Sequence, residues 1–187
     1  MKRFFLLLVF PLLTGCATTQ KTAYRVMERE VVREVPVERE VIREVARYRL
    51  AGEVEISKRD MTLTVRDTMG RVQLTLPIAC GKNRGQKQQE GDMCTPEGRF
   101  YIQEINDSHL WKHDFGDGLG EIEGAYGGYF IRLFTPPHRG IGIHGTHLPS
   151  SIGERATEGC IRLRNEDLEE LVRYIYVGMP VVILPDE

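Results

Sequence analysis

The stretch GIGIHGTHLPSSIGERATEGCIRLR, residues 140–164, decides how this chain is read. Ile141 and Ile143 alternate with glycines and end at His144-Gly145. A glycine-bearing loop follows, and Thr157-Glu158-Gly159-Cys160 leads into a second alternation, Ile161 and Leu163. Alternation of this kind predicts strands that bury one face. A histidine therefore stands at one strand edge and a cysteine at another, joined by a loop able to bring them together. A thiol nucleophile and its base require that arrangement.

Upstream, the chain reads as β-rich from about Leu50. Val54 and Ile56 predict a first strand, and Met61, Leu63 and Val65 a second. Asp67-Thr-Met-Gly70 is a turn signal, and Val72, Leu74, Leu76 and Ile78 form the return strand of a hairpin. Residues 81–92 are polar with three glycines, hence a loop. Thr95-Pro96-Glu97-Gly98 is a tight turn. Phe100, Ile102 and Ile105 mark the next strand, and Tyr129, Ile131 and Leu133 another, stopped by Pro136-Pro137. Between them, residues 106–128 are rich in glycine and aromatics, as expected of a lid or a disordered loop.

Downstream, Asn165 is placed to cap a helix over residues 166–177. Its apolar stripe is Leu168, Leu171, Val172 and Ile175. Acidic residues near its start suit the helix dipole. Gly178 and Pro180 end it, and Val181 to Leu184 read as a closing strand. Residues 51–187 are thus expected to form one mainly β domain with one helix near the C-terminus.

The first fifty residues read as an address and a spacer. Met1-Lys2-Arg3 is basic, and Phe4 to Leu13 is apolar but too short to span a bilayer. Leu13-Thr14-Gly15-Cys16 resembles a bacterial lipobox. That resemblance implies a signal peptide over residues 1–15, lipidation of Cys16 and attachment to a lipid bilayer. Ala17 after the cysteine favours the periplasm-facing leaflet of the outer membrane, where the host has two membranes. Residues 16–50 carry a ten-residue repeat, MEREVVREVP (27–36) followed by VEREVIREVA (37–46). As a helix it would set like charges four apart, and Pro36 would interrupt it. As extended chain it has a basic and an acidic face. An extended tether is expected, in which roughly 30 residues reach about 100 Å.

The totals exclude some classes. The chain has 187 residues, 41% hydrophobic and 28% charged, with a net charge of -2, which suits one globular domain with accessory segments. Lys and Arg form no run without matching acids, so no nucleic-acid partner is expected. His109 and His113 have metal-like spacing on a helix, but the glycine-rich sequel argues for a loop. Asp114, Asp117 and Glu121 lack the EF-hand order. Neither metal nor cofactor is expected. His138 and His147 read as loop histidines. Oligomeric state is not legible.

Taken together, these residues resemble the L,D-transpeptidase catalytic domain family (YkuD-like). Its signature is His-Gly, a loop, then Ser/Thr-His-Gly-Cys, an aliphatic residue and often Arg. Here His144-Gly145-Thr146 matches the first half and Thr157-Glu158-Gly159-Cys160-Ile161-Arg162 the second. Thr95-Pro96-Glu97-Gly98-Arg99-Phe100, Ala79-Cys80-Gly81 and Gly178-Met179-Pro180-Val181 are also similar to family segments. The resemblance covers about residues 50–185 and implies a β-sandwich or mixed-sheet fold. The departure is Glu158, where the family usually has histidine.

The resemblance implies roles for single residues. Cys160 would be the nucleophile and His144 the general base, returning as general acid. The Gly145 carbonyl would orient the imidazole, and the amides of Gly159 and Cys160 would form an oxyanion hole. Arg162, Thr157 and Thr146 are candidate substrate contacts, with Arg162 set to meet a carboxylate. The implied substrates are peptidoglycan stem tetrapeptides, cleaved at the carbonyl of the third residue through a thioester. An amine acceptor gives a 3→3 cross-link; water gives a carboxypeptidase or amide hydrolase. A catalytically weak wall-binding lipoprotein is the alternative outside enzymes. Cys80 and Cys94 remain, flanking one loop: a disulfide between them would pin it, and two reduced buried thiols are the other reading.

Overall fold

The computed structural model describes residues 51–186, apart from 116, 117 and 119. The expected signal peptide, Cys16 and the repeat tether lie outside the described residues. The sequence hairpin forms as read: β1 (Ala51–Ser57), β2 (Thr62–Asp67) and β3 (Val72–Pro77) run antiparallel in succession. Val54, Ile56, Leu63 and Val65 all point to one face and are fully buried. Met61 is not in the second strand; it sits in the turn with φ of 53°.

After the short β4 (Cys80–Gly81) comes β5 (Gly98–Asp107). The supposed lid carries a small hairpin of its own, β6 (Lys112–Asp114) with β7 (Glu121–Glu123). Its strands are too short to show a period in the sequence. Next come β8 (Tyr129–Phe134), β9 (Gly142–His144), β10 (Arg155–Thr157) and β11 (Ile161–Arg162). The helix α1 (Asn165–Val172) and β12 (Pro180–Leu184) complete the domain.

Eight strands form one mixed sheet in the order β11-β9-β8-β5-β12-β1-β2-β3. The pairs β1/β12 and β11/β9 are parallel and the others antiparallel. Ile102, Ile131, Ile143, Ile161, Val181 and Ile183 extend the buried face across the sheet, and Leu168 and Leu171 of α1 join the same core. Each such side chain contributes about 1.5–3 kcal/mol on burial.

The helix is shorter than its apolar stripe. It stops at Val172, and Ile175 reaches the core from the following turn. The chain leaves the helix because β5 captures it: Gly178 N donates to Ile102 O at 2.8 Å and Ile102 N to Met179 O at 2.9 Å. Asn165 is not the cap either. Arg164 holds that position, and Asn165 Oδ1 instead accepts from the Thr146 amide at 2.8 Å.

Candidate active site

The two halves of the histidine–cysteine stretch become adjacent strands. In the β9/β11 register Ile161 stands opposite Ile143 and Arg162 opposite His144. Both isoleucines are buried in the core. Side chains alternate along a strand, so His144 and Arg162 share the opposite face. Cys160, two residues before Arg162, falls on that face too. His144, Cys160 and Arg162 line one cleft of about 930 Å³.

His144 is 2% exposed and tightly oriented. Its Nδ1 lies 2.7 Å from the Gly145 carbonyl. A carbonyl only accepts, so Nδ1 carries the proton and Nε2 is left as the basic nitrogen. Phe130, directly across β8, stacks on the imidazole at 5.7 Å, and Tyr126 meets it edge-on at 4.9 Å. Gly142 makes the Phe130 position possible, since a Cβ there would lie 2.5 Å from the ring. Burial pushes the imidazole pKa down to about 3, against the raising effect of the Gly145 carbonyl; the Arg162 charge lowers it further. His144 is therefore neutral at physiological pH.

Cys160 is half-buried and donates to the Gly140 carbonyl at 3.4 Å. Burial raises its pKa; the Gly142 amide and Arg162 oppose this, while the Glu158 carboxylate adds to it. The resting pair is thus neutral thiol and neutral imidazole, not a preformed thiolate. Arg162 is 5% exposed, donates through Nη1 to Ser151 Oγ at 3.1 Å and sits 5.3 Å over the Phe115 ring. Among the described residues its Nε has no hydrogen-bond partner and no carboxylate pairs with it. The nearby Glu158 charge favours the guanidinium without bonding to it, which leaves Arg162 suited to an anionic ligand.

Several residues expected at the site are placed differently. Thr157 is buried, and its hydroxyl donates to Cys160 O at 2.6 Å while accepting from Gly159 N at 3.1 Å. It braces the turn at Cys160 and has no free donor for substrate. That contact engages the Gly159 amide, expected as an oxyanion donor, with the Thr157 hydroxyl. Among the described residues the Cys160 amide donates no hydrogen bond. Thr146 is buried away from the cleft lining; its hydroxyl accepts from Leu148 N at 2.9 Å. Cys80 and Cys94 are free thiols, not a disulfide. Their sulfurs face different partners, Met61 Sδ at 3.8 Å for Cys80 and the Arg84 carbonyl at 3.5 Å for Cys94.

Other parts of the cleft were not singled out from sequence. Trp111, Phe115 and Tyr126 give it an aromatic wall, joined by His113, which the sequence offered only for its spacing from His109. The only signal was the density of aromatics in residues 106–128. Ser151, which holds Arg162, lies in a single 3-10 turn, Pro149–Ser151, with no motif of its own.

The sequence matches the L,D-transpeptidase catalytic domain (YkuD) over residues 51–183. The chain belongs to that family. It is 35% identical over 130 residues to the protein named "Putative L,D-transpeptidase YkuD" of Bacillus subtilis (strain 168); the match spans 70% of this chain and 63% of that protein. The Bacillus licheniformis YkuD is 34% identical over 138 residues, 74% of this chain and 66% of its own. The chain thus spans just under two thirds of each relative. Solved L,D-transpeptidase folds superpose on it. The helical cell shape determining protein Pgp2 (K307A mutant) of Campylobacter jejuni gives a TM-score of 0.57 at 24% identity, covering 74% of this chain and 48% of its own. The catalytic domain of the Enterococcus faecium L,D-transpeptidase gives 0.52 at 22% identity, covering 71% of this chain and 96% of that domain. These structures support the curled mixed sheet as the L,D-transpeptidase fold.

Proposed function

We propose that this family member is a cysteine-dependent peptidoglycan L,D-transpeptidase. Cys160 Sγ attacks the carbonyl of the third residue of a stem tetrapeptide as its proton passes to His144 Nε2. The oxyanion forms against the Cys160 amide. Collapse breaks the C–N bond, and His144 returns the proton to the departing amine of the fourth residue. A thioester remains. An acceptor amine attacks it, loses a proton through His144, and restores the thiol. The net change is exchange of one amide for another, with no cofactor. Arg162 binds a donor carboxylate beside the reacting bond.

The observation that carries this reading is the fixed, neutral imidazole lining the same cleft as Cys160. The Gly145 carbonyl holds the proton on Nδ1 and leaves Nε2 open to accept one, and an uncharged pair can be buried without a large desolvation cost. The acceptor follows from family membership less directly than the thioester does, because Glu158 stands where histidine is usual.

The test is incubation of the full chain with purified tetrapeptide muropeptides, read by mass spectrometry, beside Cys160→Ala. Cross-linked dimers formed only by the wild type support transpeptidation. Shortened stems assign water as acceptor. Identical products from both proteins refute a Cys160 enzyme. Cys16 is proposed as the lipid anchor and the cell envelope as the location. Metabolic labelling with a fatty acid, abolished by Cys16→Ser, tests this; equal labelling of both refutes the anchor.

A further inference from the structure

Three consecutive peptide units meet at Cys160, and two threonine hydroxyls hold all three. Thr157 Oγ1 takes the Gly159 amide, in the unit before, and the Cys160 carbonyl, in the unit after. The middle unit is held from elsewhere in the chain. Thr95 Oγ1 donates to the Gly159 carbonyl at 2.9 Å and accepts from the Gly81 amide at 2.9 Å. Thr95 is fully buried. Its own carbonyl is bonded by Lys58 Nζ at 3.2 Å, so it is anchored in turn.

The middle unit is the one that matters chemically. A trans peptide is planar, so the Gly159 carbonyl and the Cys160 N–H point in opposite directions from one rigid plate. Fixing the carbonyl fixes where the N–H points. Among the described residues that N–H donates no hydrogen bond, so it is open to a ligand. Gly159 has φ of 134°, and a Cβ on it would lie 2.7 Å from the Cys94 carbonyl. Only glycine lets the plate sit so close to the segment that carries Thr95.

We propose that Thr95 is a positioning residue for the reaction: through the Gly159 carbonyl, its hydroxyl aims the Cys160 amide at the oxyanion. This rests on the thioester reading above. Thr95 touches no substrate, and its effect is confined to steps that develop negative charge on a carbonyl oxygen.

Two reactions of Cys160 separate that role from a structural one. Acylation by a tetrapeptide donor or a carbapenem passes through an oxyanion. Alkylation by iodoacetamide uses the same thiol without one. Both are followed at Cys160 by peptide mass mapping in the full chain. Thr95→Val is expected to slow acylation by about 10–100-fold, less than the roughly 100–1000-fold cost of removing an oxyanion donor outright, with alkylation within about twofold of wild type. Thr95→Ser keeps the hydroxyl and is expected to restore acylation. Where Thr95→Val does not fold, Thr95→Ala removes the hydroxyl without adding bulk and reads the same ratio. Wild-type acylation by the valine or alanine variant overturns the proposal. So does an equal loss of acylation and alkylation, or a serine variant as slow as valine. A wild-type protein that neither donor acylates at Cys160 refutes the thioester reading itself and this proposal with it.

Discussion

The burial of a neutral His144 makes the domain acid-sensitive by a predictable amount. In the unfolded chain the imidazole titrates near 6.5, whereas in the fold its pKa is about 3. Between these values the unfolded state binds a proton that the native state does not, so stability falls with acid. At pH 5 the penalty is about 2 kcal/mol relative to pH 7.5. The perturbation that isolates it is His144→Gln, which cannot titrate. Urea denaturation of both proteins at pH 7.5 and pH 5 gives two pH differences. The wild type should lose about 2 kcal/mol more than the variant. Equal losses would show that the imidazole titrates alike in both states, and the account of a neutral resting base would fail. The same property predicts the rate profile. Corrected for folded fraction, kcat/KM should stay within about threefold from pH 5 to 7.5, because the base is never protonated there. An acid limb near pH 6.5 would contradict it.

Further expectations concern the groups around the nucleophile and the cleft wall. Glu158→Gln removes a charge that opposes the thiolate, so the iodoacetamide alkylation profile of Cys160 should shift to lower pH; an unchanged or raised profile counts against that coupling. Arg162→Met should weaken donor binding by about 10–100-fold, as loss of a charged hydrogen bond implies, and should raise the thiol pKa, both read from acylation kinetics against pH. An unaltered KM would remove Arg162 from the donor site. Lys58 is fully buried and pairs with Glu97 at 2.7 Å and Asp186 at 3.3 Å, and Asp186 also pairs with Arg155. Lys58→Met should destabilise the fold by about 3–5 kcal/mol, the cost of stranding buried carboxylates. A double-mutant cycle with Asp186→Asn should recover part of this; strict additivity would mean the pair is not coupled.

Much of the fold was legible because apolar side chains alternate along its strands and gather on one face. Val54 and Ile56, Leu63 and Val65, and Ile131 and Leu133 alternate in the chain as they do in the sheet. The elements misread are those whose ends are set by distant partners. The apolar stripe runs on to Ile175, but hydrogen bonds to Ile102 stop the helix at Val172. The β6/β7 hairpin lies in the stretch expected to be a lid or a disordered loop, and three-residue strands carry no period that would reveal it.

At the site the division is similar. By itself the sequence determined the residue types: a histidine and a cysteine at two strand edges, an arginine two positions on, and glycine before the thiol. Those follow from local pattern, since neighbours along a strand fall on fixed faces. The tertiary structure alone decided which polar groups remain free. Thr157 and Thr146 look like substrate contacts in the chain, yet their hydroxyls are engaged by nearby backbone groups. Thr95, 65 positions before Cys160, reaches the nucleophile turn only because the fold packs its segment against Gly159. Hydrogen-bond partners and desolvation depend on what lies across the fold, and that is why neither the neutral state of His144 nor the aim of the Cys160 amide could be read from spacing.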